Sequence, residues 1–145
     1  MDANDPATRA CLRFGWTWLA LFLLLGLTLE ALHGVKASWY LDNHLRRELW
    51  VLAHAHGTLL ALVAVAYAAG AMPLFADARK RALAGRMLRW GALLVPFGFL
   101  LGGVGNSESD PSPFILATPV GALMVLHALA SAALQAWRGA PAVKP

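Results

Sequence analysis

The sequence predicts an all-α integral membrane protein, a four-helix bundle with its N- and C-termini in the cytoplasm. Three observations predict it. Hydrophobic residues make up 59% of the 145-residue chain, charged residues only 14%, and the mean hydropathy is +0.57. A soluble domain carries about a quarter charged residues, and a chain of this length lacks the interior volume to hide the surplus apolar surface. The apolar residues fall into four runs, each long enough for a helix to cross a hydrocarbon core about 30 Å thick at about 1.5 Å per residue. The runs are rich in Leu and Ala and lack the alternation of a strand.

The first run extends from Phe14 to Leu32 and follows Arg9 and Arg13. A basic segment before an apolar stretch also opens a secretory signal peptide. The length of the run, its end in Glu30 and His33, and the lack of a small-residue cleavage pattern before Tyr40 favour a retained span. The second run, Leu49 to Met72, carries Gly57, Ala61, Ala64 and Ala68 at helical spacing, a stripe suited to close helix approach. The third, Leu88 to Val104, is shorter; it contains Pro96, and Gly98 and Gly102 repeat the small-residue spacing. The fourth runs from Phe114 to Trp137 and contains Pro119 and His127. Both prolines are potential kinks, used in helix packing. With no internal repeat and no soluble segment, residues 1–145 read as one transmembrane domain.

The net charge of +4 and the pI near 9.8 raise nucleic acid as a partner. The basic residues lie between apolar runs rather than on one patch with aromatics, so nucleic acid is excluded and the lipid bilayer is the partner. Arg9, Arg13, Arg79, Lys80, Arg81, Arg86, Arg89, Arg138 and Lys144 fall on one side of four spans; Lys36, Arg46 and Arg47 fall on the other. That asymmetry places both termini in the cytoplasm of a cell whose inner (plasma) membrane holds the protein. Trp16, Trp18, Trp39, Tyr40, Trp50, Trp90 and Trp137 lie near span ends, as interfacial aromatics do. Cys11 is the single cysteine, which excludes a disulfide or a Cys-based metal site within one chain; it reads as an inert thiol.

Function is sought among ionisable residues at membrane depth, where they are costly unless paired. Glu30 and His33 share a helical face at the end of the first span. His54 and His56 follow within two turns of the start of the second, so all four are expected in the outer leaflet. One carboxylate with two or three imidazoles is a ligand set for a transition metal. His54 and His56, two residues apart, point about 200° apart on a regular helix. One faces into the bundle and the other meets a neighbouring helix, a partner subunit or a cofactor. The competing reading is a Glu–His hydrogen bond that latches two helices. His127, deeper in the fourth span, reads as a neutral histidine bonded to a backbone carbonyl, with an axial ligand or proton-path role as the alternative. Asp42, His44, Arg46, Arg47 and Glu48 read as a solvated loop, in which Asp42 or Asn43 caps a helix leading into the second span.

The segment Ala53-His54-Ala55-His56-Gly57-Thr58-Leu59-Leu60 resembles the His-Gly segment in the second helix of heme–copper oxidase catalytic subunits. The resemblance covers about one helix and implies His56 as a ligand of a low-spin heme. It does not imply oxidase chemistry, since those subunits are far longer and carry further histidines. The segment His54-Ala55-His56-Gly57 is also loosely similar to the His/Glu segment of small membrane hydroxylaminobenzene mutases, without the glutamate of that segment.

These readings lead to three functions. The first is a redox- or respiration-associated protein that binds heme or a transition metal through His56, His33, His54 and Glu30, beside copies of itself or other membrane subunits. The second is an isomerase- or mutase-like membrane enzyme using Glu and His as acid and base on a small apolar substrate. The third is a non-catalytic assembly subunit in which the polar cluster is a helix latch.

Overall fold

The computed structural model describes residues 5–138, apart from the side chain of residue 72. Lys144, counted above with the basic residues of the C-terminal tail, lies outside the described residues. Four long helices carry the fold: α1 (Pro6–Gly34), α3 (His44–Leu74), α4 (Ala78–Gly102) and α5 (Ala117–Arg138). A short α2 (Ser38–Leu41) links α1 to α3, and a single 3-10 turn, Pro113–Leu116, leads into α5. Each of the four long segments, with the 3-10 turn counted into the last, is long and apolar enough to cross a membrane.

Three helix starts are written in the sequence as side-chain caps. Asp5 accepts from the Thr8 backbone N–H at 2.9 Å with Pro6 in the first turn, where its missing N–H costs nothing. Asn43 accepts from the Arg46 N–H at 2.8 Å and starts α3. Asp77 accepts from the Arg79 N–H at 2.8 Å and starts α4 only three residues after α3 ends. The basic segment 79–89, read from sequence as a connection, therefore forms the first turns of α4, and the third span is not short. The α4 end is closed by Ser112, whose N–H and Oγ donate to the Gly102 and Leu101 carbonyls, each at 2.8 Å. Pro119 falls in the first turn of α5, so it does not kink that helix.

Each long helix packs on the next in the chain, α1 on α3, α3 on α4 and α4 on α5. α1 touches α4 only lightly, which leaves α1 and α5 at opposite ends of an open row with α4 the most buried member. The core between them is made of small residues: Ala64, Ala68, Ala71, Ala84 and Ala92 pack with Leu60, Tyr67, Leu88 and Val95. Small side chains let backbones approach, and dispersion contacts then hold the helices. At the crossing of α4 and α5 the backbones meet closely: a Cβ on Gly91 would lie 2.6 Å from the Gly121 carbonyl oxygen. The outer faces remain apolar, with Leu27 69% and Leu123 67% exposed. Soluble monomers rarely expose contiguous apolar faces of this size.

Candidate functional site

Along α1, Leu23, Gly26, Leu27, Glu30 and His33 recur at spacings of three and four and so share one face. That face, with Val51 and His54 of α3, walls a groove of about 490 Å3 that opens to the outside between the two helices. The volume lies within the roughly 300–1,000 Å3 of small-molecule sites. Its walls are mostly apolar. Glu30 and His33 stand in the last turn or so of α1, at the mouth, and both are exposed.

Gly26 fixes the depth of His54. A Cβ at that position would meet the His54 ring at 2.5 Å, so only glycine lets the imidazole lie across α1. His54 Nδ1 then reaches the Phe22 carbonyl oxygen at 2.7 Å. Gly26 is one turn below Glu30, so His54 lies about 6 Å deeper than the mouth. Along the groove, Glu30 and His33 thus stand nearer the end of α1 and His54 lies about a turn deeper. His33 Nδ1 makes the same kind of bond at 3.0 Å to the Leu29 carbonyl, and its ring stands edge-on to Tyr40 at 5.2 Å.

A carbonyl oxygen only accepts, so the proton in both bonds sits on Nδ1. In the neutral rings Nε2 is then left with its lone pair. In place of the Glu–His latch anticipated between two helices, His54 bonds the α1 backbone. It ties α1 to α3, whereas Glu30 and His33 both belong to α1.

His56 is not part of this groove. Its Nδ1 bonds back to the Leu52 carbonyl at 2.9 Å, and its ring lies against Phe99 of α4, 5.1 Å between centroids. It borders a separate apolar hollow of about 250 Å3 shared with Val95, Val125 and Leu129. Helix geometry had set His54 and His56 apart, and the structure sends them to opposite sides of α3. Among the described residues no three His, Cys, Asp or Glu side chains come together as a metal-ligand group. The set Glu30, His33, His54 and His56 is therefore not assembled by one chain. The hollow beside His56 is also smaller than ordinary ligand sites and brings up no second histidine.

His127 is exposed on α5, beside a groove lined by Lys80, Ser131 and Gln135, and not on a backbone carbonyl as expected. Beyond the groove of Glu30, an aromatic and amide lid closes the same end of the bundle. Tyr40 is fully buried, stacked on Trp50 at 5.8 Å, and Trp50 Nε1 donates to the Leu100 carbonyl at 2.9 Å. Burial pushes the Tyr40 phenol pKa up. Arg46 is no solvated anchor: its Nε and Nη1 donate to the Gly103 and Trp39 carbonyls at 3.1 and 2.6 Å. Asn106 Nδ2 donates to Asn43 Oδ1 at 3.1 Å and ties the first connection to the third.

Sequence reasoning missed two features. One is the groove itself, although its signal was present in the three-and-four spacing of Leu23, Gly26, Leu27 and Glu30. The other lies at the opposite end. Arg81, counted above as a topology charge, is buried and forms an ion pair with Asp5 at 2.8 Å. No protein-family model, curated protein or solved structure matches the chain. Fold and site together define an all-α protein of four apolar, span-length helices with a polar-mouthed groove between the first two long ones.

Proposed function

We propose that this chain is a multi-pass protein of the inner membrane, termini in the cytoplasm, that binds a small, largely apolar molecule in the groove between α1 and α3. The observation that carries this reading is the clustering of Glu30, His33 and His54 on one otherwise apolar groove of about 490 Å3. Such a groove faces lipid, so its ligand enters from the bilayer with its polar end at the mouth. Ionisable groups at that depth are costly and mark function more often than packing. Glu30 and His33 are also placed to take and return a proton on a bound molecule, the acid–base chemistry of an isomerase-like enzyme.

The test uses the protein in lipid nanodiscs and a small apolar photolabel, an aryl diazirine. Labelling at Leu23, Leu27 and Val51 should saturate and be displaced by excess ethylbenzene. Labelling at the similarly exposed Leu116 and Leu123 should do neither. Uniform, non-saturable labelling of all five positions would overturn the groove. Orientation is read separately from single cysteines in intact cells: Ser109→Cys should react with an impermeant maleimide, and Ala78→Cys should not.

A metal reading keeps one favourable observation. His33, His54 and His56 each anchor Nδ1 on a backbone carbonyl, the arrangement that fixes a metal-binding imidazole with Nε2 free. Because one chain does not bring the four ligands together, a transition metal held by them jointly would need residues from a second copy or another subunit. A visible spectrum and metal analysis of the purified protein decide this: a Soret band lost in His56→Ala supports it, and protein that is colourless and metal-free after reconstitution sinks it.

A further inference from the structure

We infer that the groove between α1 and α3 selects a lipophilic amine, an ammonium group on a small apolar body; this deepens, and rests on, the ligand-binding reading above. The argument is a count of donors and acceptors. The ionisable groups at the groove are Glu30, His33 and His54, and its other lining side chains are Leu, Val and Gly. A carboxylate only accepts. His54 and His33 hold their protons on Nδ1 against the Phe22 and Leu29 carbonyls, so their Nε2 atoms also accept while the rings are neutral. The backbone N–H groups along this face lie inside α1 and α3, where helix bonds occupy them. The groove therefore offers three side-chain acceptor groups and no free donor.

A ligand that also only accepts, such as a carboxylate or a ketone, would leave both itself and the groove unsatisfied. An alcohol brings one donor. A primary ammonium at the mouth brings donors for both Glu30 and His33, together with the charge that Glu30 balances, and its apolar body matches Leu23, Leu27 and Val51. The backbone adds to this preference. Glu30 and His33 sit at the C-terminal end of α1, where the peptide dipoles present partial negative charge and favour a cation.

The test is equilibrium binding of tritiated 4-phenylbutylamine to the protein in nanodiscs, corrected with empty nanodiscs and competed by 4-phenylbutanol and 4-phenylbutanoate. These compounds share one body and differ at the polar end. The amine should bind saturably, the alcohol should compete at least about tenfold more weakly, and the carboxylate should compete least. Glu30→Gln should lower amine affinity about tenfold or more, since a charged hydrogen bond is lost. Leu27→Trp, at an exposed wall position where the core is untouched, should block the groove to all three compounds.

If alcohol and amine compete equally and Leu27→Trp blocks both, the amine preference falls and the groove stands. If Leu27→Trp leaves all binding intact, the groove itself falls. Unchanged amine affinity in Glu30→Gln overturns the inference, with Leu27→Trp showing whether the groove survives.

Discussion

The two ends of the bundle are closed by opposite chemistry. Where α1 begins and α3 turns into α4, the closure is ionic and buried. Arg81 Nη2 meets Asp5 at 2.8 Å, its Nη1 donates to the Phe75 carbonyl at 2.9 Å, and Tyr67 donates to the Arg81 carbonyl at 2.6 Å. Where α1 finishes, the closure is made by stacked aromatics, the Asn43–Asn106 pair and Arg46 on two carbonyls. The difference separates structural charge from available charge. At the first end both partners of the ion pair are consumed by holding helices. At the second, neutral groups and one arginine do the closing, and Glu30 and His33 stand exposed beside them at a groove.

The comparison breaks most readily at the ionic end. Arg81→Gln leaves the Asp5 carboxylate without its cation and should destabilise the protein by about 3–5 kcal/mol, the usual result of removing one member of a buried pair. Thermal unfolding in detergent measures it. The same pair sets a pH dependence. The Arg81 guanidinium, and then the Thr8 N–H, hold the Asp5 carboxyl well below the usual carboxylate range. A depressed folded-state pKa gives stability that is complete above the unfolded value of about 3.9 and is lost as pH falls below it. The melting temperature should thus be insensitive to this group at neutral pH and fall under acid conditions. Asp5→Asn should be less stable at pH 7 and show a shallower acid decline; an unchanged acid limb would remove Asp5 from the account.

The next effect is a contrast between two histidines. His54→Ala removes a bond between helices and leaves a void above Gly26, a loss of about 2 kcal/mol. His56→Ala removes a bond within its own helix and a half-exposed ring, a loss of less than about 1 kcal/mol. Equal losses would show that the two rings are not distinguished by which helix they hold. At the neutral end, Trp50→Phe keeps the stack on Tyr40 and removes the donor to Leu100, which should cost about 1 kcal/mol.

Much of this contrast was legible in residues and spacing. Four apolar runs gave four helices, Asn43 served as the cap foreseen for it, and the opposed directions of His54 and His56 followed from their two-residue separation. What was not legible depended on partners distant in sequence. Arg81 looks like any basic residue of its segment until Asp5, 76 positions away, is folded against it. The depth of His54 depends on Gly26 of another helix, and neither residue announces the other. Helix ends were misjudged where polar residues continue a helix: charges on α4 read as a loop because apolar character, rather than capping by Asp77, set the boundary.

The smallest effect sits beside the groove and tests whether its mouth is held or loose. α1 ends in a motif in which the Ala37 N–H bonds to the Leu32 carbonyl and the Lys36 N–H to the His33 carbonyl. The residue between cap and exit adopts a left-handed conformation, normally given to glycine; here it is Lys36, with φ of +53°. A side chain there is strained, so Lys36→Gly relieves strain while adding freedom to the unfolded chain, and a net gain of about 0.5 kcal/mol is expected. The bonded carbonyls belong to the turn that carries His33, so a firmer exit also fixes that imidazole. If Lys36→Gly is stabilising and leaves amine binding unchanged, the mouth is already set by the lid. If it is stabilising and tightens binding, the strain at Lys36 keeps the groove mouth mobile, and the neutral end is built for exchange while the ionic end is built to stay shut.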